Sequence, residues 1–301
     1  VKILIIGGAG FIGTSLVSEL SKVKKHEIQV LDSFSQGFPE KPLKKKNIKP
    51  PVNGNIRNYY DILRTMERMC PDVVVHLAAH SSRPETFGDF RTCAEINYYG
   101  TANVAKACMT VNPRPSKLIF ASSLAASEPV NHYGISKKAA EDLLESIFVR
   151  FPEMGVQLVT LRLSEIYGDG QPFTSTSLVN FLVDTMLRDQ NISLFSVQQK
   201  IDCLHISDAT AAFVQAVEFE GEYLKVDIGT GQGLVIKDVV HQLQELTKHK
   251  GQLRFLEDPH VIVQNLIANT APARKVLGFE AVADFEKELK SLVNKRKRKT
   301  K

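Results

Sequence analysis

No apolar run in this sequence is long enough to cross a bilayer. The longest, such as residues 3–6 and 73–75, are of strand length, whereas a spanning helix needs about 20 apolar residues. No membrane partner is therefore expected. Cysteines are few and scattered: Cys70, Cys93, Cys108 and Cys203 form no CxxC pair and no Cys/His spacing of a metal site. That pattern predicts no bound metal, and reduced thiols in a cytoplasmic protein. The sequence opens on strand-like residues without a basic-then-apolar leader, which points the same way. The body also lacks net charge. The formal +5 comes from Lys295-Arg296-Lys297-Arg298-Lys299-Thr300-Lys301; without its six basic residues the chain carries 32 basic against 33 acidic. A nucleic-acid binder spreads its cations over a folded face, so no nucleic-acid partner is expected. Residues 295–301 read as a disordered, solubilising basic tail. Five lysines between positions 41 and 49, around Pro42, read as a solvated loop.

What is present is an alternation of strands and helices. At 301 residues the chain can form one large α/β domain, or a nucleotide domain with a smaller partner. Buried strands are expected at 2–6, 27–31, 72–77, 117–121 and 156–163, with helices at 11–23, 60–69, 93–111 and 132–151 between them. This spacing predicts a parallel sheet covered on both faces, and right-handed crossovers make it a Rossmann-type, doubly wound α/β domain. Beyond Gly168 the alternation loosens, with helices at 177–188, 206–219, 236–247 and 284–294. The expected division is residues 1–168 for a dinucleotide-binding domain carrying the catalytic residues. Residues 169–294 would form a smaller C-terminal substrate-binding lobe interleaved with the last sheet strands.

Gly7-Gly8-Ala9-Gly10-Phe11-Ile12-Gly13 joins the first strand to the first helix. Glycines there permit a tight turn, let the backbone approach a pyrophosphate, and seat the helix against the sheet. The helix start offers unpaired N–H groups and a positive dipole end to phosphates. Asp32 ends the second strand 19 positions after Gly13. A carboxylate there accepts both ribose hydroxyls and repels a 2′-phosphate, which predicts NAD rather than NADP.

With these features the chain resembles an extended short-chain dehydrogenase/reductase of the NAD-dependent sugar epimerase/dehydratase group, over nearly its whole length. Gly7, Gly10 and Gly13, with Phe11 and Ile12, resemble that family's cofactor turn, and Asp32 and Ser33 its ribose-binding segment. Gly54-Asn55-Ile56-Arg57 resembles the adenine-contacting segment, with Asn55 replacing the usual Asp. Leu77, Ala78 and Ala79, after His76, resemble the strand end lining the dinucleotide, and Asn97 the helix Asn near the cofactor. The resemblance also implies a homodimer in which helices 93–111 and 132–151 pair across a two-fold axis.

Tyr133-Gly134-Ile135-Ser136-Lys137 is a YxxxK pattern at a helix start, with both side chains on one helix face. A phenol titrates near 10 and is a poor base at neutral pH. An ammonium beside it, helped by an oxidised nicotinamide, is expected to lower that value. Tyr133 then takes a proton from a substrate hydroxyl as hydride leaves the same carbon, Lys137 also holds the nicotinamide ribose, and Ser123 orients the hydroxyl. His76 reads as a packed core residue and His132 is given no role. Asp202, His205 and Asp208 are expected to cap the helix that follows them.

On the substrate side the candidates are Ser81, Ser123, Glu165, Ser177 and Lys200, and here the family pattern is broken. Ser123 and Tyr133 are only ten positions apart, so the substrate-facing loop is trimmed. Leu124-Ala125 stands where 4,6-dehydratases carry an acidic pair, which removes the proton carrier for that elimination. Glu165 replaces a substrate-contacting Asn, and Ile201 replaces the Arg that holds the diphosphate of a sugar nucleotide. Lys200 is adjacent, but neighbouring strand residues point to opposite faces. The leading expectation is a nucleotide-sugar 4-epimerase. The alternative is a net NAD(H) dehydrogenase or reductase whose substrate lacks the diphosphate. A non-catalytic NAD sensor is disfavoured by the Ser–Tyr–Lys set.

Overall fold

In the computed structural model, which describes residues 1–35, 45–81, 90–171, 177–257 and 264–299, the expected α/β architecture is found. The first half runs β1 (Lys2–Ile6), α1 (Phe11–Leu20), β2 (Glu27–Asp32), β3 (Val52–Asn53), α2 (Tyr59–Met69) and β4 (Val73–His76). After them come α3 (Phe90–Cys93), a π-helical turn (Ala94–Gly100), α4 (Thr101–Thr110), β5 (Lys117–Ser123), α5 (His132–Leu144) and a second π-helical turn (Glu145–Val149). Next are β6 (Gln157–Leu163), β7 (Glu165–Tyr167), α6 (Leu178–Met186), β8 (Ile192–Phe195), β9 (Lys200–Ile201) and β10 (Cys203–His205). The chain closes with α7 (Ile206–Glu218), β11 (Tyr223–Ile228), β12 (Leu234–Val235), α8 (Ile236–Thr247), β13 (Leu253–Leu256), α9 (Thr270–Leu277) and α10 (Phe285–Lys299).

Seven parallel strands form the main sheet in the order β11-β6-β5-β4-β1-β2-β3. The chain steps one way from β1 to β2 and the other way to β4, so a crevice opens above the carboxyl ends of β1 and β4. The period-two direction of strand side chains divides the core. Ile3 and Ile5 face α1 and α7 with Leu16, Val17 and Phe213, while Leu4 and Ile6 face α2, α4 and α5 with Ile62, Val104 and Leu144. A third cluster, built on Leu182, Val183, Val240, Leu243, Leu289 and Leu292, is the core of the lobe.

The C-terminal part of the chain is interleaved with the sheet, and the reading of the tail is corrected. Residues 206–228 belong to the sheet body: α7 packs on α1, where Thr210 Oγ1 donates to Ser15 Oγ at 2.8 Å, and β11 pairs with β6 along its length. The basic tail is not disordered where it is described. Residues 295–299 continue α10, and Arg296 is only 4% exposed. Its Nη2 donates to the Gln171 carbonyl and its Nε lies 3.6 Å from the Asp184 carboxylate, so the charge faces the lobe's interior. The lysine loop lies in part outside the described residues; within it, Lys45 donates to Ser21 Oγ.

Removing one partner of a buried ion pair leaves the other uncompensated, at about 3 kcal/mol or more. Arg296→Met is therefore expected to lower the unfolding free energy by about 3 kcal/mol in a urea titration. An unchanged midpoint would return the segment to the status of a free tail.

Candidate active site

The glycine turn is fixed by approaches too close for a side chain. Gly7, at φ +84°, donates to the Leu31 carbonyl, and a Cβ there would lie 2.5 Å from the Ala78 nitrogen. A Cβ on Gly13 would lie 2.5 Å from the Gly7 carbonyl oxygen. Gly10 caps α1 without a side chain, and the first turn of α1 has no acidic residue. The N–H groups of Phe11, Ile12 and Gly13 thus face the crevice as the helix start's own unpaired donors. Leu77 and Ala78 continue the β4 edge, their N–H groups both donating to the Ile6 carbonyl, and Ala79 follows. Asp32 sits beside the turn: Oδ2 accepts from the Ala9 N–H at 2.9 Å and Oδ1 from the Phe34 N–H at 2.8 Å. Each oxygen retains a lone pair for a ribose hydroxyl. Ser33 donates to Ser35 Oγ. These donors, this cradle and this carboxylate fit an adenine dinucleotide.

Other expected cofactor residues act through the frame. The Asn55 side chain accepts from the Arg57 N–H at 3.0 Å and shapes its own loop. Ile56 is buried against Gly100, where a Cβ would lie 2.5 Å from Ile56 Cδ1. Asn97 is buried on the first π-helical turn. Its Oδ1 accepts from the His80 N–H at 2.7 Å, and its Nδ2 donates to the His80 carbonyl and to Ser136 Oγ, each at 2.9 Å. It clamps the segment after β4, next to Ser81, to α5.

Ser123, Tyr133 and Lys137 are brought together. Ser123 closes β5, and its Oγ accepts from the Ala125 N–H at 3.2 Å. Asn131 caps α5 by accepting from the Gly134 N–H at 2.8 Å. A Cβ on Gly134 would lie 2.5 Å from the Ala125 carbonyl, so only glycine lets α5 start this close to the end of β5. That contact sets the start of α5, and Tyr133 with it, beside Ser123 at the end of β5. Lys137 is buried, donates to the Ala121 carbonyl at 2.7 Å and lies 4.7 Å from the Phe120 ring centroid.

The electrostatics correct one expectation. The Tyr133 phenol is pushed up to about 12, first by burial, against the pull of the Ser123 hydrogen bond; the Glu165 carboxylate and the Cys93 thiol add to the rise. Burial dominates, and the protein's own groups keep the phenol protonated. Burial also holds the Lys137 ammonium down to about 8, with the Glu141 carboxylate opposing it. His76 is a neutral core residue as expected: its Nε2 is 3.0 Å from Thr101 Oγ1, and burial and the Lys137 charge hold it down to about 3. His132 is exposed, its ring 5.9 Å from that of Phe90.

On the substrate side, Glu165 and Ser177 meet at the start of α6. Glu165 Oε1 accepts from the Leu178 N–H at 2.7 Å, and burial pushes that carboxylate up from its ordinary range against the pull of Ser177 and of the Leu178 N–H. Lys200 stands apart, exposed on β9, its N–H donating to Asn265 Oδ1, while Ile201 bridges Leu266. Of the three residues expected to cap α7, only His205 does so. Asp202 accepts from Thr230, Gly231 and Ala268, and Asp208 from Val282 and Ala283. Sequence reasoning missed the trio behind Lys137, the buried Ser122 and Glu141 and the half-buried Arg162. The available signal was a carboxylate one turn after Lys137 at a position flanked by Ala140 and Leu144.

Fold and site together define a dinucleotide-binding enzyme of the extended short-chain dehydrogenase/reductase type. The chain belongs to the NAD-dependent epimerase/dehydratase family, whose model matches residues 3–229, and its cofactor is NAD. It is 26% identical to the putative UDP-glucose 4-epimerase of Methanocaldococcus jannaschii, over 97% of each chain. It is also 25% identical to the dTDP-4-dehydro-6-deoxyglucose reductase of Escherichia coli, over 97% of this chain and 96% of that one. The solved UDP-glucose 4-epimerase of Thermotoga maritima, with UDP-glucose, superposes with a TM-score of 0.88 at 24% identity, all of each chain being covered.

The 2.5 Å approach at Gly13 makes the turn a test of the cofactor site. Gly13→Ala should force the turn open and weaken NAD at least about tenfold by calorimetry, equivalent to one lost charge-assisted contact. Unchanged affinity would mean that the dinucleotide binds elsewhere.

Proposed function

We propose that this chain is an NAD-dependent nucleotide-sugar 4-epimerase. The observation that carries the reading is the Ser123–Tyr133–Lys137 set, assembled at the carboxyl edge of β5 in the frame of an epimerase family. Ser123 orients the sugar's 4-hydroxyl, and Tyr133 takes its proton. Lys137 holds the nicotinamide ribose with the ammonium protons not given to Ala121. Bound NAD supplies the hydride acceptor and the cationic ring that lowers the barrier to phenolate, the contribution the protein's own groups do not make. Once the 4-keto sugar has turned over, Tyr133 returns its proton to the C4 oxygen, and bound NAD would supply the hydride for the opposite face of that carbon. Asp32 selects NAD over NADP, and Leu124-Ala125 leave no acid for a dehydratase step.

One observation favours a second reading, a net dehydrogenase or reductase of a substrate without a diphosphate. Glu165 fills the start of α6 with its own carboxylate, where an anionic substrate group would compete for the Leu178 N–H, and Ile201 brings no guanidinium. Calorimetry with UDP, GDP, CDP and dTDP separates the two. Micromolar binding of one diphosphate is expected, followed by 4-epimer formation from its sugar that Tyr133→Phe abolishes while NAD binding persists. No binding at millimolar concentration transfers the assignment to the dehydrogenase reading.

The reading includes a cytoplasmic homodimer. Tyr99 on the first π-helical turn and Ile135 on α5 are exposed apolar side chains on the two helices that would pair. Light scattering is expected to give twice the chain mass for the wild type and a smaller species for Tyr99→Asp/Ile135→Asp; a wild-type monomer at micromolar concentration sinks it.

A further inference from the structure

We propose that Glu141 is a positioning residue for this site: its buried carboxylate keeps the Lys137 ammonium charged and in place, and Arg162 governs how much of that negative charge Lys137 receives. The inference rests on Lys137 holding the nicotinamide ribose.

Glu141 is 0% exposed and lies one turn beyond Lys137 on the inner face of α5. Consecutive residues of β5 hold the two side chains: the Ala121 carbonyl accepts from Lys137, and the Ser122 hydroxyl donates to Glu141 Oε1. From β6, Arg162 completes the carboxylate's shell, Nε donating to Oε1 at 2.9 Å and Nη2 to Oε2 at 2.6 Å. The row Lys137, Glu141, Arg162 therefore alternates in charge with its acid at the centre. Desolvating a carboxylate is costly, and a methylene chain would pack as well between Ala140 and Leu144. Its use lies in what it does to the ammonium beside it.

The groups facing Lys137 leave Glu141 as the source of that effect. His76 on β4 is neutral, Tyr133 one turn back on α5 is a protonated phenol, and Phe120 presents a ring face. Cys93 and Glu165 act on Tyr133, and Asp227 and Glu145 act on Arg162. Burial alone drives the ammonium towards its neutral form, and the Glu141 charge opposes that. The sign follows directly. Removing the carboxylate makes Lys137 lose its proton at lower pH, and removing Arg162 exposes Lys137 to more of the carboxylate and raises that pH. A role confined to packing would move both variants in the same direction.

The test is NAD affinity by calorimetry from pH 6 to 10 for the wild type, Lys137→Ala, Glu141→Gln and Arg162→Gln. Wild-type affinity is expected to fall as pH rises through about 8, where Lys137 titrates. Glu141→Gln should bring that fall about one pH unit earlier, with near-normal affinity at pH 6. Arg162→Gln should delay it, and Lys137→Ala should bind more weakly with a flat profile. An unmoved fall in Glu141→Gln, or a shift of both variants in one direction, overturns the inference. If Glu141→Gln does not fold, the Arg162→Gln profile alone decides, and a fall that is earlier or unmoved counts against it. Unweakened binding by Lys137→Ala refutes the ribose assignment instead, which separates the two failures.

Discussion

The site depends on backbone segments meeting closer than any side chain permits. At Gly7 the turn after β1 lies against the end of β4, and at Gly134 the start of α5 lies against the turn after β5. The first approach creates the phosphate-facing helix start. The second delivers Tyr133 to Ser123 and, one turn further, Lys137 to the carbonyl of Ala121. Both contacts fall at the carboxyl edge of one parallel sheet, so the glycine turn and Tyr133 border one crevice by construction.

Constraints of this kind are written plainly in a sequence, which explains what could be read there. A close approach demands glycine, a strand buried on both faces demands runs such as residues 3–6, and a paired base and cation on one helix face demand the spacing of Tyr133 and Lys137. The features harder to read each carry a mixed signal. β11, Tyr223–Ile228, alternates buried and half-exposed residues, as a strand at a sheet edge does, and gives no sign of which body it joins. Arg296 continues the buried face of Leu289, Leu292 and Val293, but its charge and its basic neighbours conceal that periodicity. Glu141 looks like one more solvated helix carboxylate, because the guanidinium that makes its burial tolerable comes from β6, 21 residues away.

The lobe divides differently from the sheet. β7 and β10 pair beside the catalytic crevice, and Glu165, through the start of α6, links that crevice to the lobe's helices. Two of the departures from the family pattern, Glu165 and Ile201, lie here, whereas the glycine turn and the Ser–Tyr–Lys pattern are kept.

The interleaving of β11 and α7 into the sheet body bears on how such a protein can be recombined. A chain ending at Gly168 would present β6 as a raw sheet edge and leave α1 without the helix that covers it. The nucleotide-binding half is therefore not a detachable cassette. A graft of new specificity has to pass around residues 206–228, as two separate insertions between fixed parts of the frame, and a single crossover after the catalytic helix would join two incomplete sheets.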